Sequence, residues 1–214
     1  MNILVEIKNE YNNRVSNILS KLIYEGLNSI YSKSKEVSKG DDVLKIFQSF
    51  LKRVPKWNEE ILVNELERIK SSMTSENFEL LNILIKAALR SSYDILTHDM
   101  QNNKIVIENR KSIIDNFEFS NFIQDIYINC SKEIYNNPFL FYHNYSPVEI
   151  KRNQREILIL IKKSIEESIK STIPIELIVN IYISDSEMLR SNDGFNKGYV
   201  PNYPKDQIDM TSNG

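Results

Sequence analysis

From Asn9 to about Lys35, the residues Val15, Ile18, Leu19, Leu22, Ile23, Leu27, Ile30 and Tyr31 recur at spacings of three and four. That period gathers them on one stripe of an amphipathic helix. Gly26 interrupts the helix and costs about 1 kcal/mol relative to alanine, which a close helix–helix contact would explain. Asp41 and Asp42 then precede a second apolar pattern, Val43 to Val54, and acids suit a helix start. Pro55 ends it, because the residue before a proline is pushed out of the helical region. Asn58 is the predicted cap of a third helix, with Glu59 and Glu60 in its first turn. Thr74 or Ser75 caps a fourth. Its apolar face, from Phe78 to Leu96, is wide enough to predict the most buried helix of the chain.

The pattern changes after Asp99. Gln101-Asn102-Asn103 is polar, and Lys104 to Glu108 alternates briefly, which predicts a short strand. Residues 100–118 therefore read as an irregular or strand-like excursion between two helical halves, 1–99 and 119–183. Ser120 is the expected cap of the next helix, which carries Phe122, Ile126, Cys130 and Ile134 and stops at Asn136-Asn137-Pro138. Phe139 to Tyr145 is an aromatic cluster without helical spacing. Ser146-Pro147-Val148-Glu149 has serine at the cap, proline at the first helical position and glutamate at the third, which is a capping box. The helix it opens is predicted from Pro147 to about Thr172, and a last one from Ile175 to Ile183. From Ser184 onward, Ser, Asn, Asp, Gly and Pro dominate. Residues 184–214 read as a disordered tail, too poor in apolar residues to fold alone. The fold class is thus all-α, with six or seven helices in a bundle-like domain over 1–183.

Composition narrows the chemistry. With 214 residues and 41% hydrophobic content, the chain can build a core without disulfide or metal staples. A net charge of −2 lacks the global basic field of a dedicated nucleic-acid binder. The single cysteine, Cys130, excludes an intramolecular disulfide and a multi-cysteine zinc site. The longest purely apolar run, Ile157 to Ile161, is far short of the roughly 20 residues of a membrane span. The amino end has no apolar stretch of signal-peptide length, so a soluble intracellular product is expected. Abundant Ile, Asn and Lys beside two Ala point to an AT-rich gene.

No phosphate-binding loop, dinucleotide fingerprint or nucleophile elbow occurs. His98 and His143 have no partner at metal-ligand spacing. A Cys130–His143 nucleophile pair is conceivable only through space, and Cys130 lies on the apolar stripe of its helix, so a buried inert thiol is favoured. No catalytic residue, cofactor or metal ligand is assigned, and the expectation is a protein that is not an enzyme. Lys151, Arg152, Arg155, Lys162, Lys163 and Lys170 make one long helix basic. Arg152 and Arg155 are the candidates for anionic partners, although interleaved glutamates explain much of the pattern. Trp57 sits between two helices. It reads first as a plug in an interhelical corner and second as an interface anchor. Phe139, Phe141, Tyr142 and Tyr145 either cover the core or face a partner.

Two motifs carry a resemblance. One is Phe47-Gln48-x-Phe50-Leu51-Lys52-x-Val54-Pro55-x-Trp57-Asn58 with Glu65-x-x-Arg68-Ile69. The other is Cys130-x-x-Glu133-Ile134-Tyr135-x-Asn137-Pro138-x-Leu140-Phe141, followed by Arg152-Asn153-x-Arg155-Glu156-Ile157-Leu158 and Ile173-Pro174. Together they resemble a protein family of large nucleocytoplasmic DNA viruses, the giant-virus relatives, over roughly residues 10 to 183. The resemblance brings no catalytic residues. It implies a viral protein of the host cytoplasm or virus factory, with a place in the virion. The expected function is a structural or scaffolding protein whose partners are other viral proteins. The alternative is a nucleic-acid-associated factor in viral transcription or genome packaging.

Overall fold

The stripe at Val15, Leu19, Ile23, Leu27 and Tyr31 becomes the spine of the first helix, where all five side chains are at most 2% exposed. The structure is a computed structural model and describes residues 2–38 and 42–193. Among the described residues eight α-helices follow in order: α1 (Asn2–Val37), α2 (Val43–Leu51), α3 (Glu59–Ser71), α4 (Ser75–Leu96), α5 (Lys104–Asp115), α6 (Phe119–Asn136), α7 (Pro147–Ser171) and α8 (Ile175–Asp193). Short 3-10 turns occupy Val54–Lys56, His98–Met100 and Pro138–Phe141. No strand occurs among the described residues, so the fold is all-α.

The helix starts follow local chemistry. Asn58 accepts a hydrogen bond from the Ile61 amide at 3.0 Å and opens α3. Thr74, rather than Ser75, caps α4 through the Asn77 amide at 3.3 Å. The capping box of α7 is complete. Ser146 Oγ accepts from the Glu149 amide at 3.3 Å, and Glu149 Oε2 accepts from the Ser146 amide at 3.1 Å. Those two bonds satisfy donors that a bare helix end leaves unpaired. The start of α6 differs from expectation: Glu118 stands at the cap position and Phe119 begins the helix, not Ser120.

Three further expectations need correction. The strand-like excursion over Lys104–Glu108 is the first turn of α5. Asn103 Oδ1 accepts from the amides of Ile105 and Val106, which starts a helix. The alternation misleads because Ile105 and Ile107 are exposed while only Val106 is buried. Tyr93 Oη donates to the Val106 carbonyl at 3.1 Å, and Arg110 pairs with Asp94 at 3.0 Å, so α5 is fastened to α4. Second, α4 is not the most buried helix: it buries six of its 22 residues, with Leu80 and Ile83 exposed, whereas α6 buries seven of 18. Third, the last helix runs to Asp193 rather than Ile183. No glycine or proline stands between Ile175 and Asp193, so nothing local stops it. The rest of the expected tail, from 194 on, lies outside the described residues.

The described residues up to Pro174 form one compact unit, and α8 belongs to a second. Within the first unit α1 packs against α2, α4 and α7, while α6 packs against α2, α3 and α7. Helices on both sides of residues 100–118 thus share one core. Phe47, Leu51, Ile85, Leu89, Ile123, Ile126 and Ile161 lie in it with the spine of α1.

Candidate interaction surface at the Trp57 corner

Between α2 and α3 the chain makes a sharp corner. Pro55 favours the 3-10 turn, Val54 is fully buried beneath it, and the Trp57 amide donates to the Val54 carbonyl at 3.1 Å. Trp57 then turns extended, and Asn58 restarts the helix. The Trp57 ring is half-buried against Tyr127 of α6, with centroids 4.9 Å apart.

Behind that contact lies a polar network. Tyr127 is fully buried and its hydroxyl donates to Glu65 Oε1 at 2.5 Å. Glu65 also takes two bonds from Arg68, at 2.8 and 2.6 Å. Arg68 reaches on to α1, donating to the Leu22 carbonyl at 2.6 Å and to Glu25 at 3.3 Å. Burial, and then the Glu65 charge, push the Tyr127 hydroxyl well above the ordinary tyrosine range, so it stays a neutral donor. Donating hydrogen bonds to Glu65 raises Arg68 further above its already high value. Gly26 makes room for this arrangement. A Cβ there would lie 1.8 Å from Tyr127 Oη and 3.0 Å from Glu65 Oε1. The close helix–helix contact expected at Gly26 is therefore made by the Tyr127 side chain of α6.

The outer side of the corner opens on two clefts. The larger, about 750 Å³, has an apolar floor of Ile30, Phe50, Trp57 and Ile61. Lys33, Arg53 and Lys56 rim it, and no acid lines it. Lys33 pairs with Glu36 at 2.8 Å, whereas Arg53 and Lys56 have no ion pair among the described residues. The Arg53 guanidinium lies 6.0 Å from the Phe50 ring centre. The smaller cleft, about 460 Å³, lies between the same turn and α6, with Leu51, Pro55, Ile128 and Tyr135 beside Lys52 and Lys132. One side of the corner thus packs on the core and the other lines a cleft. The cations around it were missed in the sequence. Lys52-Arg53-Val54-Pro55-Lys56-Trp57, three cations in five residues followed by the only tryptophan, was the available signal. Lys33 could not be found that way, because only tertiary packing brings α1 alongside.

The other candidate residues scatter. Phe141 is corrected from a contact residue to a core residue, since it is 7% exposed. Its ring sits among Phe47, Tyr31 and Tyr24 at 5.0, 5.7 and 6.1 Å. Phe139 is exposed, and Tyr142 and Tyr145 are half-buried against each other at 5.2 Å. Arg152 and Arg155 are exposed on α7, as is Lys151. The remaining cations of that helix are engaged: Lys162 with Asn17 at 2.8 Å, Lys163 with Glu133 at 3.7 Å and Lys170 with Glu167 at 2.8 Å. Cys130 and His143 do not meet. The His143 ring nitrogen Nδ1 bonds Tyr31 Oη at 2.7 Å, while Cys130 is fully buried. Burial pushes the Cys130 thiol up to about 12, against a lowering hydrogen bond from Ser164, which leaves almost no thiolate at neutral pH. Among the described residues no group of three or more His, Cys, Asp or Glu could hold a metal ion. No helix there is long and apolar enough to cross a membrane.

A model of the family of unknown function DUF5764 matches residues 1–142. The chain belongs to this family. The DUF5764 match takes in α1 to α6 and the whole Trp57 corner, and it ends at Tyr142, before α7. Neither a curated protein nor a solved structure matches the chain.

Proposed function

We propose that this DUF5764 chain is a non-enzymatic scaffolding or interaction protein of a large DNA virus, associated with the virion or its assembly. The viral setting rests on the two sequence motifs. The observation that carries the interaction reading is the Trp57 corner, an aromatic side chain anchored on the core beside an apolar cleft with a basic rim. A rigid aromatic next to arginine is the composition of interface hot spots. The residues assigned to contact are Trp57, with Phe139, Tyr142 and Tyr145 as a secondary exposed group. Mass spectrometry of purified, nuclease- and protease-treated virions tests the setting. Recovery at structural copy number, with cross-links to a viral neighbour, is the expected result. Absence from virions despite abundance in infected-cell lysate removes the virion component.

A nucleic-acid-associated role in transcription or packaging is the second reading. Lys151, Arg152 and Arg155 favour it, being exposed in the first turns of α7 without an ion pair among the described residues. Retention on DNA or RNA that falls steeply with salt is its signature. No retention at low salt removes it.

A further inference from the structure

The Trp57 cleft has one sign of charge. Its rim holds Arg53 and Lys56, which have no ion pair among the described residues, and Lys33, which pairs with Glu36 outside the lining; the lining has no carboxylate, and the chain as a whole carries −2. The local field is therefore opposite to the net charge, so it is a property of this place and not of the protein at large. The three cations come from different elements: Lys33 from α1, Lys56 from the 3-10 turn, and Arg53 from the link between α2 and that turn. Folding brings Lys33 to the other two around a shared apolar floor.

The floor separates two classes of polyanion. Single-stranded nucleic acid binds on free aromatic faces along an extended basic track. Here the Trp57 ring is packed against Tyr127, the Phe50 ring has a guanidinium close by, and the aliphatic side chains Ile30 and Ile61 complete the floor. A floor that is half branched aliphatic suits leucine, isoleucine or phenylalanine anchors, with acids beside them meeting the rim.

We propose that this cleft docks an acidic segment of a partner protein carrying large apolar anchors. The proposal rests on the interaction reading above and names the chemistry of the partner. The test is selection of peptides from a random displayed library on the full chain, with parallel selection on Arg53→Glu/Lys56→Glu. Both positions are exposed, and an unchanged melting curve confirms that the variant is folded. Lys33→Glu, on a different element, provides an independent second variant.

The expected outcome is enrichment of peptides with net negative charge and large apolar residues. Synthetic copies shift the emission of Trp57, the only tryptophan, and bind at least about tenfold more weakly to either variant. Their affinity falls as salt rises. No enrichment, or enrichment of neutral or basic peptides, overturns the proposal. So does equal binding to the variants, or binding without a Trp57 shift. A single-stranded oligonucleotide that shifts Trp57 emission at lower concentration than the peptides assigns the cleft to nucleic acid instead. If selection fails while virion cross-links place a viral neighbour on another face, the interaction reading stands and only the cleft assignment falls.

Discussion

The contact between Gly26 and Tyr127 shows how one missing methyl organises a core. Tyr127 is fully buried, so its ring has nowhere to retreat from an added Cβ. Gly26→Ala is expected to cost about 1–3 kcal/mol by overpacking. Tyr127→Phe removes a donor from a carboxylate with little access to water and is expected to cost about 1.5–3 kcal/mol. The double variant should lose less than the sum, because the atom at 1.8 Å is gone and the nearest remaining ring carbon is at 3.0 Å. Urea denaturation of the four proteins measures this, and strict additivity would show that the hydroxyl is not what Gly26 accommodates. The sequence signalled that Gly26 had a reason, through its helix-breaking cost in an otherwise regular stripe. It did not signal Tyr127, which lies in a helix far along the chain. Phe141 failed in the same way: an aromatic run looks identical whether its rings face Phe47 or solvent.

Among the elements, α7 and α5 mark what is legible locally and what is not. The start of α7 is written in four consecutive residues whose bonds close on each other, so no distant partner is needed. Ser146→Ala is expected to lower stability by about 1 kcal/mol, read from a thermal melt. An unchanged midpoint would mean that the cap contributes nothing beyond the proline at the next position. The start of α5 is ambiguous by comparison. A five-residue alternation fits a strand and a helix turn equally, and the decision comes from the Asn103 cap and from Tyr93 and Arg110 tying α5 to α4. The end of α8 went the other way: polar composition suggested a tail, while the absence of a breaker let the helix continue to Asp193.

Taken as a whole, the molecule holds several weak acids in its interior. Burial raises Tyr127, Tyr31 and Tyr93 above the ordinary tyrosine value and Cys130 from 9.0 to about 12. A raised folded value means that the unfolded chain gives up its proton first. Stability is therefore full below the unfolded values and is lost as pH climbs through the folded ones. Denaturant midpoints are expected to hold to about pH 9 and then fall towards pH 12. Cys130→Ala should make that fall shallower, whatever it does to stability at neutral pH. An identical slope in the two proteins would show that Cys130 titrates alike folded and unfolded. The all-α class and most helix spans were legible because the period of apolar residues is a local property. The Trp57 cleft was legible only in part, since Trp57, Arg53 and Lys56 are neighbours in the chain but Ile30 and Lys33 reach them from α1.

The vacancy at Gly26 also fixes how α1 can slide. Moving that long helix by about one turn would set Leu22 or Ile30 opposite the Tyr127 hydroxyl. Neither leaves a gap there, and Gly26 is the only glycine in α1. The other buried stripe positions, Val15, Leu19, Ile23, Leu27 and Tyr31, all carry large side chains and do not by themselves single out one offset. A single notch meeting a single knob removes that degeneracy, so α1 has one axial alignment against its neighbours.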